Sequence, residues 1–193
     1  EEKQYNMARK VHPKLFRLHE TGLWESRWFD RKRTPALLAE DFAIRSFLEK
    51  RLKEASIAAI EIERFPGKIN IILATSRPGL VIGRGGAGLE ELQRAMKKIV
   101  SVKDMRLEIR EVKNPWESAV LSGQWIVQQL EKRMPYRRVL KQALSKITVN
   151  RQVQGARVEI AGRLGGSEIA RREWMAQGRL PRQTIRSDID YAL

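Results

Sequence analysis

The chain has no cysteine. Disulfides and thiolate metal sites are therefore excluded, a composition that suits an intracellular protein without requiring one. Histidine is nearly missing too: only His12 and His19 occur, both in a basic N-terminal stretch with no third ligand nearby. A zinc site lacks its ligands, and a Ser-His-Asp triad has almost no candidate base. No apolar run approaches the roughly 20 residues that span a bilayer. The opening EEKQYNMARKVHPKLF has no apolar core of the signal-peptide kind. It also lacks an initiator Met, so the natural chain is expected to begin upstream. Acid is scarce: 23 Asp and Glu face 38 Lys and Arg, a formal net charge of +15.

What is present is a globular composition. Hydrophobic residues make up 42% and charged residues 32% of 193 positions, enough for one large domain or two small ones. The charge excess calls for a polyanionic partner. Its distribution is uneven. Residues 131–186 carry fourteen Lys and Arg against four acids, a net of +10. A second basic patch spans residues 9–33, with Arg9, Lys10 and Arg27 among its cations, and residues 87–130 are nearly neutral. Arg outnumbers Lys in the C-terminal region, and its planar fork matches phosphate oxygens in pairs.

Along the chain, residues 1–33 read as an irregular basic arm whose Trp24, Trp28 and Phe29 should dock on something. Thr34 as cap and Pro35 at the first helical position predict a helix over 35–54, with Leu38, Phe42, Arg45 or Phe47, Leu48 and Leu52 inward. Alternation around Pro66-Gly67 predicts a hairpin. A short apolar turn at Leu80–Ile82 leads into a glycine loop. An amphipathic helix follows, with Leu89, Leu92, Met96 and Ile99 inward, and then a strand over 105–113. Asn114-Pro115 marks a boundary. Beyond it, helices are predicted at 115–133 and 135–149 and a strand at 157–161. Residues 168–178 are ambiguous, and Thr184–Tyr191 alternates like a strand.

The loop Gly83-Arg84-Gly85-Gly86-Ala87-Gly88 spells G-x-G-x-x-G, the dinucleotide fingerprint. Three features oppose that reading. Pro78-Gly79 interrupts the approach, Glu90 and Glu91 would repel a pyrophosphate, and a helix and hairpin precede it where a Rossmann unit opens with a strand. A P-loop fails outright, because no Gly-Lys-Ser/Thr follows. The G-x-x-G of Gly83, Arg84, Gly85 and Gly86 instead fits a clamp on a nucleic-acid backbone, in the element order of a type II KH domain. A plain helix–helix turn stays open as an alternative. In PYRRVLKQALSK, Arg137 and Lys141 share a helix face beside Arg138, and no nearby acid offsets the cluster, which Arg133, Lys132 and Lys146 extend. The stretch from Ala161 to Arg186 interleaves arginine with glycine, which suits a phosphate backbone; Arg163, Arg171, Arg172 and Arg179 are its candidate contacts.

The segments VIGRGGAGLEEL, EVKNPWESAV, MPYRRVLKQAL, GRLGGSEIARRE and RSDIDYAL, with VHPKLFRL and WESRWF, together resemble the bacterial form of the ribosomal protein S-three family. They run in family order over nearly the whole chain. The resemblance implies an α+β chain: a basic arm at 1–33, a type II KH domain (α-β-β-α-α-β) at 34–113, and a C-terminal α/β domain at 114–193. In the last, two helices pack on a mostly antiparallel sheet that is expected to lack the family's final strand. It implies a cytoplasmic structural constituent of the small ribosomal subunit that binds ribosomal RNA in the head, with no enzyme activity, metal or cofactor. Small-subunit proteins ten and fourteen are expected as neighbours, with two, four and five close by. Arg137, Arg138 and Lys141 match the family's basic triplet, which lines the channel where messenger RNA enters and helps to unwind it. Two other classes remain compatible with the residues: a free-standing KH regulator, and a lyase acting through a lysine amine on damaged DNA.

Overall fold

The computed structural model describes residues 11–18, 20–100, 102 and 104–193. The expectations for Arg9, Lys10 and His19 lie outside the described residues.

The arm is less irregular than its composition suggests. Helix α1 (Pro13–Phe16) opens it, and strand β1 (Ser26–Arg27) pairs parallel to strand β2 (Ile57–Phe65) through Ser26 and Ile62. Of its three expected docking aromatics, Trp28 docks, while Trp24 and Phe29 stay exposed. Helix α2 (Thr34–Arg51) begins as expected with Pro35 in its first turn, but Thr34 is not the cap. The Thr34 hydroxyl donates to the Asp30 carbonyl oxygen, and the Asp30 carboxylate accepts the Lys32 and Arg33 N–H groups at 2.9 and 3.0 Å. The turn ahead of the helix therefore supplies the acceptor.

The buried stripe of α2 is Asp41, Ile44 and Leu48, continued by Leu52. Leu38 and Phe42, expected inward, are exposed. Polar groups set this phase. Arg64, whose side chain is 7% exposed, lies 2.6 Å from Asp41 and 2.8 Å from Glu40. The other Asp41 oxygen takes the Trp28 indole N–H at 2.8 Å. One turn on, Arg45 donates to the Ile60 carbonyl oxygen at 2.7 Å and to Glu25 and the Ser26 hydroxyl. Arm, helix and strand are thus joined by two arginines.

Strand β2 turns at Pro66-Gly67, where Gly67 has φ +77°, into antiparallel β3 (Lys68–Thr75), with Ile62 facing Ile71. Helix α3 (Pro78–Ile82), a tight glycine turn and helix α4 (Ala87–Met96) then lead to β4 (Asp104–Glu111), which pairs parallel to β3. The four-stranded order is β1-β2-β3-β4. From α2 to β4 the elements follow the α-β-β-α-α-β order. Their core joins Ile44 and Leu48 of α2 to Ile62, Ile69, Ile71 and Leu73 of the sheet and to Val81, Leu92 and Met96 of the short helices. Leu89 and Ile99 are partly buried against it. Each such side chain is worth about 1.5–3 kcal/mol on burial.

A separate core follows. Helix α5 (Ala119–Glu131) is capped by Ser118, after a short 3-10 turn at Pro115–Glu117. Helix α6 (Tyr136–Thr148) buries Val139, Leu140, Ala143, Leu144 and Ile147, the stripe its periodicity predicts. It packs on Val158 and Ile160 of β5 (Gly155–Gly162), which pairs antiparallel with β6 (Arg171–Gly178). The ambiguous 168–178 region thus resolves as mainly strand.

Thr184–Tyr191, expected as a strand, is not one. A turn at Thr184–Ser187 opens it, and a side chain holds its backbone in place of a neighbouring strand. The Arg17 guanidinium, in a residue only 3% exposed, donates to the carbonyl oxygens of Ser187, Arg182, Thr184 and Pro181 at 2.8–3.3 Å, and to that of Pro13. Lys14 pairs with Asp190 at 2.7 Å, and Asp190 accepts the Ala119 N–H at the start of α5. The Tyr191 ring meets His12 edge-on.

Replacing Arg64 by Ala strands the buried Asp41 carboxylate and is expected to cost about 3–5 kcal/mol in urea unfolding. The double change Arg64→Met/Asp41→Leu should regain most of it, and equal loss in both variants would contradict a desolvation cost. The Arg33 N–H, then the Lys32 N–H, hold the Asp30 carboxyl below its usual value. A group with a lowered folded pKa stabilises the fold fully above its unfolded value of about 3.9 and loses that contribution as pH falls through the folded value. Asp30→Asn should therefore flatten the stability profile below about pH 4; an unchanged acid limb in a pH-dependent melting series would refute this.

Candidate nucleic-acid interface

The glycine turn is shaped by two different requirements. Gly83 closes α3 with φ +71°, and Gly85 and Gly86 lie at φ +61° and +85°, all in the left-handed region where a Cβ is costly. Space is open where a Cβ would sit on Gly85 or Gly86, so a backbone can approach there. Gly88 serves another purpose. A Cβ on it would lie 2.9 Å from the Val81 carbonyl oxygen and 3.1 Å from that of Ile82. It lets α4 cross close over α3. The sequence reading treated the G-x-x-G as the meaningful part and missed Gly88; the third glycine of G-x-G-x-x-G was its signal. Arg84, at the tip, is exposed and makes no ion pair among the described residues. Glu90 and Glu91 are paired, with Arg94 at 3.2 Å and Arg51 at 2.5 Å.

On α6 the three cations differ. Arg138 and Lys141 are exposed and unpaired among the described residues. Arg137 is exposed but engaged: it donates to the Tyr136 hydroxyl at 3.1 Å and lies 3.8 Å from Glu173. Tyr136 in turn donates to Glu173 at 2.9 Å. The Tyr136 hydroxyl first, then Glu173, raise the Arg137 pKa above its ordinary value. The expectation that no acid offsets this cluster therefore fails for Arg137. Glu173 is distant in sequence, and the β5–β6 hairpin brings it back. Lys146, expected to extend the cluster, lies over the Trp116 and Trp125 rings at 5.0 and 4.5 Å.

The remaining candidates are scattered. Arg171 and Arg179 are exposed and unpaired among the described residues. Arg172 pairs with Glu159 at 3.1 Å while its side chain stays 72% exposed. Arg163 donates to the Ser167 carbonyl oxygen at 3.0 Å, bracing the turn at Gly165 and Gly166. Arg27 lies 3.3 and 3.2 Å from Glu61 and Glu63 of β2, so much of its charge is offset within the sheet. Among the described residues there is no group of three or more His, Asp or Glu fit to hold a metal, and no helix is long and apolar enough to cross a membrane.

Replacing Gly88 by Ala forces a methyl group against two backbone carbonyls and should destabilise the chain by about 1–3 kcal/mol. Urea unfolding followed by circular dichroism measures it, and a variant as stable as the parent would show that the helices do not need this approach.

Comparison with known proteins agrees with this geometry. A family model described as KH domain matches residues 43–117. One described as Ribosomal protein S3, C-terminal domain matches residues 126–193. Over 96% of its length the chain is 46% identical to Small ribosomal subunit protein uS3 of Endomicrobium trichonymphae, covering 79% of that protein. It is 45% identical to the uS3 of Synechocystis, covering 78% of it, and 44% identical to uS3c of Pyropia yezoensis, covering 81%.

Proposed function

Since the chain belongs to the small ribosomal subunit protein uS3 family, we propose that it lies in the subunit head, where α6 faces messenger RNA as it enters. Membership makes it a structural, non-enzymatic, RNA-binding constituent of the small subunit. The finer reading is carried by one observation: Arg138 and Lys141 stand exposed, and unpaired among the described residues, on a helix whose opposite face is buried. A helix backbone presents them, and among the described residues no carboxylate pairs with either, Glu173 being engaged with Arg137 and Tyr136. Arg137 is the third member, steadied by Tyr136. Cations that hold a single strand make strand separation less costly without ATP.

The division into an arm at 1–33, a KH domain at 34–113 and a C-terminal domain at 114–193 is part of the same proposal, supported by the two separate cores. Ribosomal RNA is assigned to Gly83, Arg84, Gly85 and Gly86 and to Arg163, Arg171, Arg172 and Arg179. Arg27 adds less because of its carboxylate partners. Exposed Phe29, Leu38 and Phe42 support protein neighbours, with small-subunit proteins ten and fourteen foremost and two, four and five nearby. The ribosome that holds it is taken as cytoplasmic.

The variant Arg137→Ala/Arg138→Ala/Lys141→Ala should assemble into subunits but slow translation severalfold through a stable messenger hairpin, leaving an unstructured messenger unaffected. Equal rates on both messengers in a reconstituted system would sink the assignment.

A further inference from the structure

The face of the β5–β6 hairpin turned away from α6 carries an arrangement that the reading above does not use. Val158 and Ile160 point into the core, so Arg157 and Glu159 point out. Across the pair, Glu159 stands opposite Trp174 and Ala161 opposite Arg172. Trp174 is 56% exposed. A single exposed apolar side chain needs no explanation, but this one is held in place. The Arg157 guanidinium sits 4.4 Å from the indole centroid, a cation–π contact. Glu159 fixes that guanidinium at 2.8 Å through one oxygen and takes Arg172 at 3.1 Å through the other. The indole is therefore backed by one cation, flanked by another, and mounted on paired strands. With Arg157 on one ring face, the exposure belongs to the rest of the indole.

We propose that Trp174 is a stacking platform for an unpaired base of an RNA strand, with Arg172 beside it to take the adjoining phosphate. Two cations against one carboxylate leave this face positive, which complements a phosphate chain and disfavours an acidic protein surface. Every base has a π face, so such a platform accepts any base that is not already stacked in a duplex. The bracing by Arg157 and Glu159 orders the indole before the strand arrives, which lowers the ordering cost on binding. The proposal rests on the RNA-binding reading and gives it a partner class: looped or single-stranded segments.

The test uses the full chain, a short unstructured uridine RNA, and the variants Trp174→Leu, Trp174→Phe and Arg137→Ala/Arg138→Ala/Lys141→Ala. Affinity and tryptophan fluorescence are measured across a salt series. Trp174→Leu should weaken binding about tenfold, equally at every salt concentration, because no cation is removed. It should also abolish part of the RNA-induced quenching. Trp174→Phe should keep most of the affinity, whereas the triple variant should flatten the salt dependence and keep the quenching. Parental affinity in Trp174→Leu, or no advantage of Phe over Leu, overturns the platform while the RNA reading stands. Normal RNA binding by Trp174→Leu with a loss of assembly into subunits assigns the indole to a protein neighbour and equally overturns it. An absence of RNA binding by the parent chain would overturn both readings.

Discussion

The structure turns on how a chain with 38 cations and 23 carboxylates sorts them. Carboxylates are the scarce component, and where they go decides which cations remain available. In the N-terminal half they are largely taken up by the fold: Glu40 and Asp41 by Arg64, Glu61 and Glu63 by Arg27, Glu25 by Arg45, Glu90 by Arg94 and Glu91 by Arg51. Only the Arg64 pairs are deeply buried, and only there does the loss of one partner carry a large desolvation cost. The others are partly or fully exposed and each worth little. Arg84 at the glycine turn stays outside these pairs among the described residues.

The C-terminal half follows a different rule. Two of its carboxylates act as braces beside aromatic rings: Glu173 steadies Tyr136 and Arg137, and Glu159 steadies Arg157 and Arg172 beside Trp174. In both places one acid orders more than one basic or aromatic group and leaves the surface positive. Arg138, Lys141, Arg171 and Arg179 stay outside these braces. A ribonucleoprotein constituent needs this combination, because phosphate contacts gain when the cations are fixed and lose when an internal acid competes for them.

The apolar framework was legible in the sequence, and the polar framework much less so. The stripe of α6, the hairpin around Pro66-Gly67 and the α-β-β-α-α-β order follow from periodicity and turn residues. The phase of α2 was misread because Leu38 and Phe42 are apolar and correctly spaced. Asp41 wins the inward place through Arg64, a partner 23 residues away that no local pattern reveals. The same blindness explains Glu173 beside Arg137. At Thr184–Tyr191 the alternation misled: a turn opens the segment and Ile185 is exposed, and periodicity cannot reveal an arginine as the source of its backbone hydrogen bonds. For the candidate site, residue types and their clustering could be read directly. Which cations stay bare could not, because that depends on tertiary neighbours.

The guanidinium of Arg17 has a kinetic consequence. Its bond to the Ser187 carbonyl oxygen spans 170 positions along the chain. A contact of such high order repays its loop-closure entropy only after intervening elements have condensed. During synthesis Arg17, just past the first helix, must wait for residues 181–187 to emerge before its buried charge finds all its carbonyl partners. The segment around Arg17 is therefore expected to settle last, after both cores have formed. Late protection of the backbone amides around Arg17 in a refolding time course would register that order of events.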